Sequence, residues 1–226
     1  MKNIKKAITL FITAVMLSLF CSAYDYNEQS VLYSIGEDGF VTIEGYAGYA
    51  SELELPSEID GHTVAYIADT AFFRNKTLST VTVPESVTVI GKSAFEDCSA
   101  LHTVVIEGAL EIGNSAFRGC DRLSKISLPN TLASIGDSAF EGCIRLGTVY
   151  IPPSVSSIGY DAFLSCESIT LDASDNPLAQ QYARDNFISL STDKKSSTVT
   201  IAIISTAVLG AAVIIIPRLV RKAKKQ

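Results

Sequence analysis

The sequence has few of the residues on which catalysis and metal binding depend. Of its 226 residues, only two are histidine. His62 lies in the turn "EIDGHTV", and His102 follows Leu101 at the start of a predicted strand, where a solvated side chain is expected. The sequence also lacks a metal-binding helix signature, a phosphate-binding glycine loop and a GxSxG element. These absences predict no enzyme activity, no metal and no cofactor.

Carboxylates, which can act as catalytic residues, recur in several repeats. Glu96, Asp97, Glu141 and Asp161 fall in predicted turns, where a solvated rim is the ordinary interpretation. A pair of carboxylates across neighbouring repeats, as a glycosidase requires, is not excluded by the sequence. A degenerate carbohydrate-active enzyme therefore remains an alternative function.

Basic residues are scarce between the two ends of the chain. All 24 Asp and Glu lie within 24–197 together with 10 of the 18 Lys and Arg, so this part carries a net charge of 10 − 24 = −14. Such a surface repels nucleic acid and anionic lipid, which predicts no nucleic-acid partner. Acidic surfaces also serve solubility alone, so the charge does not identify a partner.

The two ends of the chain have the composition of export and membrane segments. Three lysines precede an apolar run over 7–20, and small residues flank a cleavage point after Ala23, which predicts a signal peptide over 1–23. "TVTIAIISTAVLGAAVIII" is an uncharged run of 19 residues, long enough for a transmembrane helix over 198–216. A buried core helix is the alternative. Five basic residues within 217–226 place this tail in the cytoplasm and the domain outside the cell.

A repeat of 22 or 23 residues organises the part between these ends. The pair Ala-Phe recurs in five copies, in which isoleucine stands four residues before the alanine and leucine or isoleucine seven residues after it. The phenylalanines are Phe72, Phe95, Phe117, Phe140 and Phe163. A period in the low twenties suits one strand, one turn and a return per coil, and is too short for a helix pair. The columns are therefore expected to stack into a solenoid whose core contains these rings.

Each repeat contains an alternating segment such as "LSTVTVP", which predicts a short strand with one buried face. Proline closes several of these strands, because it lacks the donor that continues a sheet. Gly91, Gly113, Gly136 and Gly159 follow the isoleucine column, where the coil turns and a positive φ is expected, although Ala68 holds this place in the first coil.

The ends of the repeat region differ from its middle. Short strands with glycine turns predict a β cap over 24–52, ahead of the solenoid over 53–174. Helical spacing of Leu178, Tyr182 and Phe187 predicts a helical cap over 175–188, followed by a linker over 189–197. The predicted fold is a β-rich solenoid of stacked parallel strands between these caps, with a C-terminal transmembrane helix.

The repeat "LxxVxIPxSVxxIGxxAFxGCxx" resembles the BspA-like leucine-rich repeat, and "LELPSEIDGHTVAYIADTAF" resembles the N-terminal repeat often found in such proteins. The resemblance covers about Gly39 to Ile188 and depends on several positions that recur in phase. It departs at Asn75, which replaces a cysteine, and in the fifth copy, where the pattern breaks at "ITLDAS". The resemblance implies a surface adhesin or ligand-binding module without a shared catalytic centre, although a fold does not determine a function.

Four cysteines outside the signal peptide also follow the repeat, namely Cys98, Cys120, Cys143 and Cys166. One cysteine per coil places the thiols in a line with a spacing of about 4.8 Å. A tetrahedral zinc site requires all four sulfurs at about 2.3 Å from one metal, which a line cannot provide. Disulfides between neighbours stay open, although parallel side-chain directions would strain them. The cysteines are therefore predicted to be small core residues with a weak donor, a role that Asn75 shares by hydrogen bonding to backbone.

The exposed side of the predicted strands is the expected ligand surface. Its outward residues form two columns, the first containing Glu52, Thr80, Thr103, Lys125 and Thr148 and the second containing Glu54, Thr82, Val105, Ser127 and Tyr150. The predicted ligand-binding residues are Thr80, Thr82, His102, Thr103, Lys125, Ser127, Thr148 and Tyr150. Threonine is also an ordinary exposed strand residue, and one tyrosine does not make a stacking platform.

The predicted function is a membrane-anchored surface protein that binds an extracellular protein or glycan without catalysis. A structural module of the cell envelope, packing against itself or its neighbours, is the second hypothesis. The carbohydrate-active enzyme is the third.

Overall fold

Each repeat forms one coil of a solenoid in the computed structural model, which describes residues 25–26 and 30–191. The predicted signal peptide over 1–23, the transmembrane helix over 198–216 and the basic tail over 217–226 lie outside the described residues. Within the described ranges, no helix is long and apolar enough to cross a bilayer.

The strands follow one another in the same order in successive coils. The N-terminal strands are β1 (Asp25–Tyr26), β2 (Val31–Ile35), β3 (Val41–Tyr46), β4 (Glu52–Glu54), β5 (Glu58–Ile59) and β6 (His62–Ile67). The repeating strands are β7 (Thr80–Val83), β8 (Val89–Ile90), β9 (Thr103–Ile106), β10 (Glu111–Ile112), β11 (Lys125–Ser127), β12 (Ser134–Ile135), β13 (Thr148–Tyr150) and β14 (Ser157–Ile158). The C-terminal elements are β15 (Thr170–Asp172), the helix α1 (Pro177–Asp185) and β16 (Ser189–Leu190).

Two sets of parallel strands run along the solenoid. The set that we call the outer strands forms a four-stranded sheet in the order β4-β7-β9-β11 and a three-stranded sheet in the order β13-β15-β16. The other set pairs in the order β3-β6-β8-β10-β12-β14 and begins with the antiparallel strands β1 and β2, which are part of the N-terminal cap. The prediction of stacked coils is confirmed, because coil after coil contributes one strand to each set.

Buried apolar columns fill the space between the strands and the turn segment that contains Ala-Phe. Phe95, Phe117 and Phe140 are fully buried, and the five phenylalanine rings stack nearly parallel with centroids 4.6 to 5.3 Å apart. This distance is close to the spacing of hydrogen-bonded strands, so one ring fits each coil. Tyr46 covers the first ring at 6.2 Å and Tyr182 covers the last ring at 6.1 Å, which closes the stack at both caps.

The repeated glycines have a different role from the predicted one. The positive φ expected at these glycines is not observed there and occurs instead two residues later, for example at Ser138 (51°) and Asp161 (56°). At Gly136, a Cβ atom would lie 2.6 Å from the backbone nitrogen of Asn114 and 2.7 Å from the carbonyl carbon of Gly113 in the preceding coil. Glycine is required there because neighbouring coils approach closely.

The C-terminal cap is a nine-residue helix, but its buried face differs from the predicted one. Ala179 and Ala183 are its buried residues, whereas Leu178 is 40% exposed and Phe187, beyond its end, is 97% exposed. Small side chains let the helix lie close against the last coils, so the larger residues cannot enter the same contact. Strand β16 follows the helix and lies within the range predicted as a linker.

Asn176 fixes this helix to the solenoid. Its side-chain oxygen accepts a hydrogen bond from the backbone N–H of Ala179 at 2.9 Å, as an N-cap does. Its amide nitrogen donates to the carbonyl oxygens of Pro152 and Val155 at 2.7 and 2.9 Å. Asn176 is 2% exposed, so all these bonds are shielded from water.

Candidate functional site

The predicted ligand-binding residues lie on the solvent side of the outer strands, where strand pairing aligns them. In the first column Glu52 lies opposite Thr80, Thr80 opposite Thr103 and Thr103 opposite Lys125. In the second column Glu54 lies opposite Thr82, Thr82 opposite Val105 and Val105 opposite Ser127. The structure therefore brings five of the eight predicted residues, Thr80, Thr82, Thr103, Lys125 and Ser127, onto one four-stranded surface. Its repeat along the solenoid is about 4.8 Å.

Thr148 and Tyr150 belong to the neighbouring three-stranded sheet. Among the described residues, β11 and β13 lie next to each other but do not pair as strands, and the backbone N–H of Gly147 donates to the carbonyl oxygen of Ser124 at 3.4 Å just before them. Strand β15 continues the columns beyond Tyr150, with Thr170 opposite Thr148 and Asp172 opposite Tyr150. The outward surface therefore extends one coil further than predicted.

Thr170 and Asp172 were missed because the fifth repeat has a shorter segment before its strand. In the fourth repeat the buried strand residue Val149 stands three positions after Leu146, whereas in the fifth Leu171 stands two positions after Ile169. A fixed spacing therefore fails there. The sequence signal that identifies the strand is the alternation of polar and apolar residues in "TLD", which matches its alternation of half-buried and buried residues.

His102 lies at the edge of this surface and links two coils. Its Nδ1 atom lies 3.0 Å from the hydroxyl of Thr103, and its Nε2 atom lies 3.1 Å from the hydroxyl of Ser124. A Ser–His pair resembles a nucleophile and its base, but a catalytic pair also needs an orienting acid, and here the second ring nitrogen faces a threonine. The exposed imidazole instead connects two coils, because each ring nitrogen lies next to a hydroxyl group of the protein.

Carboxylates lie at both ends of the two columns, and the middle of the columns is nearly neutral. Glu52 and Glu54 stand on the first outer strand, and Asp172 stands on β15. Lys125 is the only basic residue in the two columns. Burial raises the pKa of Tyr150, with a further contribution from the carboxylates of Asp175 and Asp172, so its hydroxyl stays protonated and can donate to a ligand.

The surface is open and does not enclose a cavity. Of two hollows of about 250 and 490 Å³, one lies between the last coil and the C-terminal cap and the other adjoins the surface only at Glu54, beside the turns that follow β4 and β7. Neither is lined by any of the eight predicted residues. Small molecules bind in concave sites that cover most of their surface, so an aligned open surface suits an extended partner.

The four cysteines are buried free thiols inside the solenoid. Each thiol donates to the carbonyl oxygen of the phenylalanine in the preceding coil, at sulfur–oxygen distances of 3.0 to 3.2 Å. At the corresponding position of the first coil, the side-chain oxygen of Asn75 instead accepts hydrogen bonds from the backbone N–H groups of Thr77 and Leu78 in its own turn. Burial raises the pKa of Cys143 well above its ordinary value and that of Cys166 to about 12. The thiols of Cys143 and Cys166 are therefore protonated and unreactive at neutral pH.

Three of the four recurring carboxylates, Glu96, Asp97 and Glu141, face arginines. Arg118 lies between Glu96 and Glu141, at 3.7 and 3.3 Å, and Arg74 lies 3.3 Å from Asp97. These ion pairs connect neighbouring coils on the turn segments, away from the two columns. Within 25–26 and 30–191, no three His, Cys, Asp or Glu side chains converge into a group that could hold a metal ion.

Comparisons with known proteins agree with this architecture. Residues 42–170 match the model of the BspA type leucine-rich repeat region, in six copies. The crystal structure of the T. pallidum leucine-rich repeat protein TpLRR is similar, with 34% identity, a TM-score of 0.62 and coverage of 65% of this chain and 70% of that chain. A leucine-rich repeat protein from Bacteroides ovatus shows 31% identity and a TM-score of 0.59, over 66% of this chain but only 40% of its own. No curated protein sequence matches the chain significantly.

Proposed function

Because this chain belongs to the BspA-type leucine-rich repeat family, we propose that it is a membrane-anchored surface protein whose outer strands bind an extracellular protein or glycan without catalysis. The predicted signal peptide over 1–23 exports the solenoid, and the predicted helix over 198–216 holds it in the membrane. The two columns on the outer strands are the binding surface.

The observation that supports this most strongly is the register of the outward residues. Because strand pairing holds Thr80, Thr103 and Lys125 side by side, their polar groups repeat at the coil spacing along one open surface. An extended ligand that lies across the strands meets a hydroxyl or amine in each coil. His102 adds an imidazole at the edge of the same surface.

The arrangement of the carboxylates supports a non-catalytic role. A glycosidase needs two carboxylates on either side of a substrate bond. Glu96 and Glu141 instead share the guanidinium of Arg118, which occupies the space between them. Cys143 and Cys166, whose pKa values are raised by burial, likewise offer no nucleophile at neutral pH.

A binding screen tests the proposal. The full chain, reconstituted in lipid vesicles, is applied to a glycan array and to a panel of extracellular matrix proteins. Thr103→Arg places a bulky cation at the centre of the first column and is expected to weaken binding of any ligand found by at least about tenfold, as loss of a central contact does. Ser157→Arg adds the same charge at the exposed Ser157 of β14, in the other strand set, and leaves binding unchanged.

Two outcomes contradict the proposal. If Thr103→Arg binds the ligand no more weakly than Ser157→Arg does, the ligand binds elsewhere on the chain. Absence of any ligand, together with self-association of the reconstituted chain, would instead support a structural module of the envelope.

A further inference from the structure

Three large apolar side chains of the last coil and the C-terminal cap are exposed to solvent. Phe187 is 97% exposed, Leu164 is 49% exposed and Leu178 is 40% exposed. Leu164 and Phe187 line the same hollow of about 250 Å³, together with the half-buried Tyr182. Leu178 stands one helical turn before Tyr182 and therefore lies on the same side of α1. We call Leu164, Leu178 and Phe187 the cap patch.

Phe187 in particular is unfavourably placed for an isolated domain. Its φ is 56°, in the left-handed region that bulky residues rarely adopt, and its ring is almost entirely in water. A glycine or asparagine would serve this turn at a lower cost in free energy. The ring is therefore explained better by a contact that forms outside the solenoid than by packing within it.

The charge of the cap differs from that of the rest of the exported part. Residues 176–191, which contain the cap helix and β16, have one basic and one acidic residue, a net charge of zero, whereas 24–175 contain seven basic and 22 acidic residues, a net charge of −15. Glu167 is the one acidic residue lining the hollow of the cap. An anionic surface repels the coils and does not repel the cap.

The length of the chain after the cap restricts what can cover this patch. The described residues end at Ser191, and six residues, 192–197, precede the predicted membrane segment. Six residues span at most about 20 Å even when fully extended. A bilayer that holds residues 198–216 is therefore within reach of the cap. The N-terminal coils are separated from residues 198–216 by many more residues.

We propose that the cap patch docks on the headgroup layer of the membrane in which residues 198–216 are anchored, with Phe187 inserted at the boundary between headgroups and acyl chains. This inference rests on the anchoring part of the proposed function. Aromatic and aliphatic side chains at this boundary are typical of proteins that lie against a bilayer. Docking would hold the solenoid at a defined distance from the membrane.

Because the sequence contains no tryptophan, a single introduced tryptophan can test directly whether the cap patch contacts the bilayer. Phe187→Trp introduces a single fluorophore in the cap patch. Tyr49→Trp introduces one at the other end of the solenoid, where Tyr49 is 90% exposed, and is the matched control. Each full-length variant is reconstituted in phosphatidylcholine–phosphatidylglycerol vesicles with or without lipid brominated near the headgroup. We expect brominated lipid to quench most of the emission of Phe187→Trp and to leave that of Tyr49→Trp unchanged.

Flotation of the same vesicles separates docking from anchoring. If the chain floats with the vesicles and both variants are quenched equally little, docking is wrong while anchoring stands. If the chain does not float, both docking and anchoring are wrong, and the glycan and matrix screen still tests ligand binding. An emission shift of Phe187→Trp that depends on protein concentration and not on brominated lipid would assign the cap patch to a second copy of the chain and overturn the proposal.

Discussion

Replacing Phe117 with alanine tests whether the stack of phenylalanine rings stabilises the solenoid. The Phe117 ring is fully buried, with the rings of Phe95 and Phe140 at centroid distances of 5.1 and 5.3 Å. Removing a buried phenylalanine side chain costs about 3–5 kcal/mol, because the surroundings only partly fill the cavity. The whole free energy of unfolding of a domain is about 5–15 kcal/mol, so this loss is a large fraction of it.

Urea unfolding followed by circular dichroism measures this loss. The matched control is Phe73→Ala, which removes a ring that is 42% exposed and lies 4.8 Å from the guanidinium carbon of Arg74. The control is expected to cost about 1 kcal/mol or less. If Phe117→Ala destabilises the protein no more than Phe73→Ala does, the ring stack is not part of the core and the account of the fold is wrong.

Three further predictions concern the glycine column, the thiols and the cap. Gly136→Ala is expected to cost about 1–3 kcal/mol by overpacking, whereas Gly147→Ala, whose Cβ would meet its nearest atom at 3.6 Å, has little effect on the urea midpoint. Because the folded pKa of Cys166 is about 12 against an ordinary 9.0, its contribution to stability is complete below about pH 9 and is lost as the pH rises towards 12. Cys166→Ala should therefore reduce the loss of stability that is measured as the pH is raised from 9 to 12. An equal loss of stability in this variant and in the unchanged protein would contradict the raised pKa of Cys166. Asn176→Ala removes three buried hydrogen bonds and is expected to lower the free energy of unfolding by about 2 kcal/mol or more, whereas the exposed Asn186→Ala costs less.

The solenoid could be predicted from the sequence because the side chains that fill its core recur with the period of the coils. Phe, Cys and the flanking aliphatic residues must recur in phase for neighbouring coils to pack. The aligned columns on the outer strands followed from the same period, since alternate residues of a strand face opposite sides.

The remaining features depend on contacts between coils that no single repeat contains. The role of Gly136 follows from the approach of the preceding coil, and the burial of Ala179 follows from the close fit of the helix against the last coils. Strand β15 was hidden by a shortened segment that changes the spacing but preserves the pairing. The loss of strand pairing between the neighbouring strands β11 and β13 likewise has no counterpart in the repeat pattern.

Hydrogen–deuterium exchange tests the stacking of the coils most directly. The backbone N–H groups of Phe95, Phe117 and Phe140 each donate to a carbonyl oxygen of the following coil at 2.7 to 2.8 Å. If the coils are stacked, these amides exchange only when several coils open together, and they are the most protected in the chain. Rapid exchange of all three, at rates like that of the exposed amide of Tyr49, would contradict the stacked solenoid.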